Sequence, residues 1–456
     1  MRRFSRWRRS AALLSAVALV AAACATDDDV AAPDEPVEAP DDVEAPPEPT
    51  DEIAFDIGVT EEPCPDGVNP DNGCIYLGVL SDLSDGPFAG LAIPLTQAQA
   101  DFFQRVNEQG GIGGFDIDVT TYTRDTHYDP QDHSAAYREI EPNILALAQT
   151  LGTPPTEAIL RDMDDDDVIG IPMSWWSGWD FPDVHRGLIM PSGYSYCIES
   201  MIGLDWYTEQ QGEPSSVIAV GYPTDFGLDA GAGAELWAEA NGVEYVGFVE
   251  TAPNAIVGTQ DAAISQVVGS GADVVVLAVG PAETAEIVGG SAANEFTGMF
   301  MGSLPTWNPA LMATPAAPAL EALYRWVTPF ENLVEGDSAA HEAMREALGD
   351  GLLDTNDGYA AGWVMTYPIK AALEQAVANG DLTRAGLRAA VDGLSVDYEG
   401  SLPPRTYGVG AAELALREAV ISVPDPDAPW GAVTLETGVT GPTAQAFDYP
   451  GPCVGG

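Results

Sequence analysis

The sequence predicts an α/β protein built on two doubly wound sheets. Short apolar runs rich in β-branched residues alternate with segments of helical period. The alternation comes in two successive blocks, the second opening near Ser216. The chain has 456 residues, and about 400 remain for two ordinary domains once an N-terminal stretch without core pattern is set aside.

In the first block, residues 75–80 form a short apolar run that reads as a buried parallel strand. Residues 95–107 follow with helical spacing and place Ala98, Phe102, Phe103 and Val106 on one face. The glycines of 110–114 stop that helix. Residues 117–122, 143–147, 168–172 and 187–190 read as further strands, with helices over 134–141 and 155–163. The second block repeats the pattern: strands over 216–220, 245–249, 273–279 and to Ser303, and helices over 227–241, 260–269 and 282–293. After Asp337 the chain reads as mainly helical, over 341–348, 359–378 and 383–393. These helices must cover sheets already formed, so the chain should cross between the two sheets more than once.

The first residues speak to compartment. Arg2, Arg3, Arg6, Arg8 and Arg9 precede an apolar stretch over 11–23, too short to span a bilayer comfortably and laid out as a signal peptide. It ends in Ala21-Ala22-Ala23-Cys24, which resembles a lipobox, so Cys24 is expected to be lipidated and to become the mature N-terminus. Acyl chains there would hold the protein on a membrane surface without a transmembrane helix. Residues 24–52 are rich in Asp, Glu, Pro, Ala and Val and read as an extended tether.

The net charge is −54, and removal of the five N-terminal arginines takes it to about −59. Lys370 is the only lysine. Nucleic acid is excluded as a partner, because phosphate binding needs a basic surface. An acidic surface keeps a protein soluble in a salty medium; the same field repels anionic solutes and steers cationic ones. Besides Cys24, four cysteines remain in an oxidising compartment: Cys64, Cys74, Cys197 and Cys453. Cys64 and Cys74 bracket a turn-rich loop that a disulfide could staple, with Cys197 and Cys453 as the second bridge; three connectivities are open.

No cofactor or metal is expected. The acidic run 162–167 lacks the spacing of a calcium loop and reads as a solvated turn. His127, His133, His185 and His341 have no metal-ligand spacing and read as surface or hinge residues. Ser270 and Ser291 do not complete GxSxG, and no phosphate-cradling GxxxxGK[ST] occurs, so the chain does not read as an enzyme.

An ordered set of segments carries a resemblance. Residues 75–80, Gly86-Pro87, the run from Asn107 to Gly114 containing Gly110-Gly111-Ile112, Asp125 and Asp129-Pro130 come first. Residues 222–227, Phe300-Met301-Gly302-Ser303 and Gly358-Tyr359-Ala360-Ala361 continue it. Over residues 73–430 the chain resembles the branched-chain amino acid (Leu/Ile/Val) type of periplasmic binding protein. The resemblance implies two α/β lobes joined by three crossing strands, with a ligand in the cleft between them. Lobe one would take about 73–197 and 328–402, and lobe two about 198–327 and 403–453.

The resemblance also implies a site. Hydroxyls and backbone N–H groups around Thr150, Gly152 and Thr153, and around Trp175, Trp176 and Ser177, would hold a ligand carboxylate. Lobe two would offer an aromatic near Phe226, another near Pro281, and an acid near Leu304 to pair with an ammonium. Residues 301–307 contain no acid; Trp307 stands in that loop instead. A buried ammonium without counter-charge costs several kcal/mol, so a free α-amino acid fits poorly. Asp225 and Glu283 are acids on neighbouring turns. Trp175, Trp176 and Trp307 are expected to face the cleft, while Trp179 is expected in a lobe core.

The implied function is that of a monomeric substrate-binding lipoprotein of an ABC importer. It would capture a small organic solute, such as an amino acid or amide, outside the cell and deliver it to membrane permease subunits. A sensing module of the same fold is the alternative, and a secreted hydrolase would require a pair of acids on the cleft loops.

Overall fold

The computed structural model describes residues 53–455, which belong to one compact unit. The signal peptide, the lipidated Cys24 and the tether expected over 1–52 lie outside the described residues. None of the described helices is long and apolar enough to cross a membrane.

Two sheets organise the chain. In the first, Phe115–Asp125, Gly73–Ser81, Ala146–Leu151 and Gly170–Met173 run parallel in that order, with Val59–Thr60 antiparallel to the start of Gly73–Ser81. Ile75, Leu77, Val79 and Leu80 are fully buried, as a central strand covered on both faces requires. Helix Ala89–Glu108 lays Leu95, Ala98, Phe102, Phe103 and Val106 into the core, against Trp363 and Tyr367 from helices later in the chain. It ends at Gly110 and Gly111, whose φ values of 110° and 75° favour glycine. Asp129 caps helix Pro130–Ile140 by accepting the N–H groups of Gln131 and Asp132.

The second sheet has seven strands. Its parallel part runs Tyr324–Thr328, Met299–Gly302, Val274–Ala278, Ser216–Gly221, Glu244–Glu250. Beyond Tyr324–Thr328 two strands are added antiparallel, Ala419–Pro424 and then Ala432–Val439. The sheet is therefore mixed, not purely parallel. Ala432–Val439 is solvated along much of its length, so it lacks the continuous apolar run by which a buried parallel strand is recognised.

Other elements shift from their expected bounds. The strand expected at 143–147 is Ala146–Leu151, and residues 187–190 contribute only a bridge between Ile189 and Gly170. The helix expected over 359–378 breaks into Asp357–Val364 and Tyr367–Ala378, because Pro368 has no N–H to donate to Val364. His133, His185 and His341 are buried rather than on the surface, and only His127 is exposed. Burial pushes His133 down to about 3 and His185 to about 4, so both are neutral. In the acidic run, Asp162 pairs with Arg138, Asp164 with Arg186 and Arg388, and Asp167 with Arg388.

The chain passes between the sheets three times: around Pro191–Tyr196, after Thr328, and around residues 398–407. These segments are tied to one another. Tyr407 donates to the Pro191 carbonyl at 2.7 Å, Tyr398 meets Ser192 at 3.2 Å, and Arg405 donates to the Gly193 carbonyl at 2.8 Å. Disulfides join Cys64 to Cys74 and Cys197 to Cys453. The second fastens the C-terminal tail to the first turn of helix Tyr196–Gln211.

Candidate functional site

In open α/β sheets, ligands bind beyond the carboxyl ends of the strands. Both sheets direct such ends at one cleft here. Leu151-Gly152 ends one strand of the first sheet and Met173-Ser174-Trp175 another; from the second come Asp225-Phe226 and Leu304-Pro305. Helix Ala89–Glu108 adds Leu91, Ala92 and Leu95, and helix Asp357–Val364 adds Ala361. The cavity between these strand ends is about 50 Å³. A larger hollow lies along the third crossing segment, but its arginines are engaged: Arg405 with Asp180, and Arg417 with the Ala444 and Phe447 carbonyls.

The lining is mainly apolar and aromatic. Phe88 packs on Tyr128 with ring centres 4.7 Å apart, Tyr196 packs on Phe226 at 4.7 Å, and Trp175 meets Tyr196 edge-on at 6.1 Å. Tyr128 and His127 hold positive φ, a conformation that non-glycine residues adopt rarely and that concentrates at functional sites. Gly152 lies against Tyr128: its φ is 86°, and a Cβ there would sit 2.2 Å from the tyrosine ring. Gly152→Ala should therefore displace that ring and abolish most solute binding while the protein still folds. Unchanged affinity in a titration would show that the ring position is immaterial.

The residues expected at the site separate into two groups. Gly152, Trp175, Phe226 and Leu304 line the cleft. Thr150 does not: its hydroxyl is bonded to His133 and Thr156 in the interior. Thr153 bonds the Ser174 hydroxyl at 2.9 Å, and Ser174 also accepts the Trp179 indole N–H. Ser177 is drawn to the buried Asp229, which accepts its hydroxyl and its N–H, while its oxygen takes the Cys453 N–H. Trp176 points away from the cleft and packs edge-on against the fully buried Trp179, its indole N–H on the Val454 carbonyl. Pro281 opens helix Pro281–Ala293 and is not part of the lining. Trp307 is stacked on Tyr324 and beside Trp326 in the core of the second sheet. Of the tryptophans expected in the cleft, Trp176 and Trp307 are thus core residues. The hydroxyls of Thr150, Thr153 and Ser177, expected to hold a carboxylate, are committed within the protein.

Acids appear where local sequence shows none. Glu199, from helix Tyr196–Gln211, lies beneath the Leu304 loop: it accepts the Leu304 N–H at 3.0 Å and the Tyr194 hydroxyl at 2.9 Å. Burial pushes its carboxyl up to about 7. Asp225 lines the cleft itself; burial pushes it up to about 7, and its Oδ1 has no hydrogen-bond partner. Glu283 is engaged by the Tyr222 hydroxyl and the Asn254 N–H. Tyr128, Tyr196 and Met173 also line the cleft without a motif to announce them. Among the described residues, no cluster of metal-ligating side chains occurs.

Two α/β sheets joined by three crossings around an apolar cleft define a solute-binding protein of the two-lobed kind. Residues 75–413 match the periplasmic binding protein family, and the chain belongs to it, in its type I, Leu/Ile/Val-binding-like form. Against curated protein sequences the chain has no match. Among solved structures it is similar to a fatty acid ABC transporter substrate-binding protein from Thermomonospora curvata: 26% identity, 88% of this chain and 98% of that one covered, TM-score 0.77. A branched-chain amino acid ABC transporter protein from Thermus thermophilus with bound valine shares the fold at 17% identity, with 83% and 99% covered and TM-score 0.70. So does a solute-binding protein from Rhodopseudomonas palustris HaA2 in complex with p-hydroxybenzoic acid, at 17% identity, with 81% and 98% covered and TM-score 0.66. The family places the protein outside the cytoplasm and gives it a general solute-binding role.

Proposed function

We propose that this chain is the solute-capturing lipoprotein of an ABC importer, held at the membrane by acylated Cys24, and that its solute has an apolar body. The observation that carries this reading is the cleft, lined by aromatic and aliphatic side chains from both sheets. The lobes would comprise about 73–197 with 328–402, and 198–327 with 403–453, and would close as a monomer on a solute that both contact. Only a solute with differential affinity for the closed state can drive that motion. Permease subunits would then receive it, and no chemistry on the solute is needed. The fatty acid named for the Thermomonospora protein supports an apolar body; the valine of the Thermus protein belongs to a more distant relative.

A thermal-shift screen on the chain from residue 53 onward tests the reading. Solutes with aliphatic or aromatic bodies should raise the unfolding midpoint, and leucine, isoleucine and valine should not. A solute at a hundredfold over its Kd adds about 2.7 kcal/mol of apparent stability. A response to the branched-chain amino acids instead would mean that another carboxylate replaces the acid missing from residues 301–307, and that the cleft takes their α-carboxylate as well.

A further inference from the structure

The polar end of the solute has one conspicuous counterpart. Asp225 is partly buried in the cleft wall, but its Oδ1 is itself buried and meets no donor. A buried carboxyl oxygen without a partner is costly, and a bound donor relieves that cost. The side chains around it are aromatic: Tyr128 backed by Phe88, Tyr196 backed by Trp175, and Phe226. Aromatic faces attract cations. No lysine, arginine or histidine is among the lining residues, so no cationic side chain of the cleft pairs with an anion. The hydroxyl of Thr153 is turned to Ser174 and to the Asp225 carboxyl, and those of Ser174 and Ser177 to Thr153, Trp179 or Asp229, so they do not form a carboxylate pocket. A chain of net charge −54 also favours the approach of a cation.

We propose that Asp225 is the recognising anion of the cleft, and that the solute carries an organic ammonium group seated against it among the aromatic side chains. This rests on the solute-capture reading and specifies the solute's polar end. The charged and titratable groups facing Asp225 are Glu157 on helix Thr153–Asp165, Asp229 on its own helix, and the phenols of Tyr128 and Tyr196. None of them is a cation, so an ammonium would be the first counter-charge the carboxyl meets. Burial holds the empty-cleft carboxyl protonated below about pH 7, so binding an ammonium there should expel a proton.

The test compares octylamine, octan-1-ol and octanoate, which share an apolar body and differ at the head. Calorimetric titration of the wild-type chain from residue 53 onward, in two buffers of different ionisation enthalpy near pH 6, measures affinity and proton exchange together. Octylamine should bind tightest and release close to one proton. Asp225→Asn should weaken octylamine by roughly ten- to hundredfold and octan-1-ol by far less. Octanoate binding tightest, with proton uptake, would overturn the inference and leave the solute-capture reading standing. Equal affinity for amine and alcohol would also overturn it. If none of the three binds, the apolar-cleft reading falls, and this inference with it. The proton count needs no variant, so a misfolded Asp225→Asn would not rescue the proposal.

Discussion

Arg405→Ala should destabilise the protein by about 3–5 kcal/mol, the range for breaking a buried ion pair by removing one partner. Arg405 and Asp180 are both buried, with 2.7 Å between Nη2 and Oδ1. Asp180 Oδ2 takes the Tyr449 hydroxyl at 2.9 Å, and Arg405 also donates to the Gly193 carbonyl on the first crossing segment. Three parts of the chain that are distant in sequence meet at this pair: the loop after Gly170–Met173, the third crossing, and the C-terminal tail. Removing the guanidinium leaves the carboxylate in a low-dielectric site with Tyr449 as its remaining donor. A chemical denaturation midpoint measures the loss. Asp180→Asn should cost less alone, and the double variant should cost less than the sum, since the two residues share one interaction. Additive losses would show that the pair is not coupled.

The double variant Asp225→Asn/Glu199→Gln should gain stability relative to wild type as pH rises from about 4 to about 7. Both carboxyls are pushed up to about 7 by burial, whereas unfolded carboxyls titrate near 4. Between those values the folded wild type holds two protons that the unfolded chain has released. Wild-type stability from these groups is therefore full below about pH 4 and is lost as pH rises towards 7. Each contributes about 1.4 kcal/mol per pH unit in that window. The neutral amides do not titrate, so the gap between the proteins reports the two carboxyls together with the relief of Asp229, which the Asp225 charge helps to push up. Buried His133, His185 and His341, depressed by burial, act with the opposite sign below about pH 6.5. They are common to both proteins and cancel in the difference. Urea midpoints at about pH 5, 6 and 8 in high salt, which screens the surface charge, measure the effect. A gap independent of pH would mean that neither carboxyl is protonated in the fold.

The adjacent pair Trp175 and Trp176 marks how far the local sequence reaches. Both follow a strand and both were expected in the cleft. One lines it; the other turns to the interior because the Val454 carbonyl and the Trp179 ring await it there. Ser177 is similar: its hydroxyl suits a ligand, yet Asp229, 52 residues later, captures it. Glu199 supplies an acid beneath Leu304 from 105 residues earlier in the chain. No spacing rule links such positions, since the contact exists only after the second sheet has formed.

The α/β class, the helix on residues 95–107, its stop at the glycines and the central strand at Ile75 to Leu80 were legible because each depends on local period and backbone freedom. Segment order carried the family resemblance for the same reason. Tertiary structure alone decided that the second sheet closes with two antiparallel strands, that the cysteines pair 64 with 74 and 197 with 453, and that the Oδ1 of Asp225 stands unpartnered in an aromatic cleft. Those outcomes depend on which distant side chains share a buried space, and burial is what turns a carboxyl, a hydroxyl or an indole into either a structural tie or a binding group.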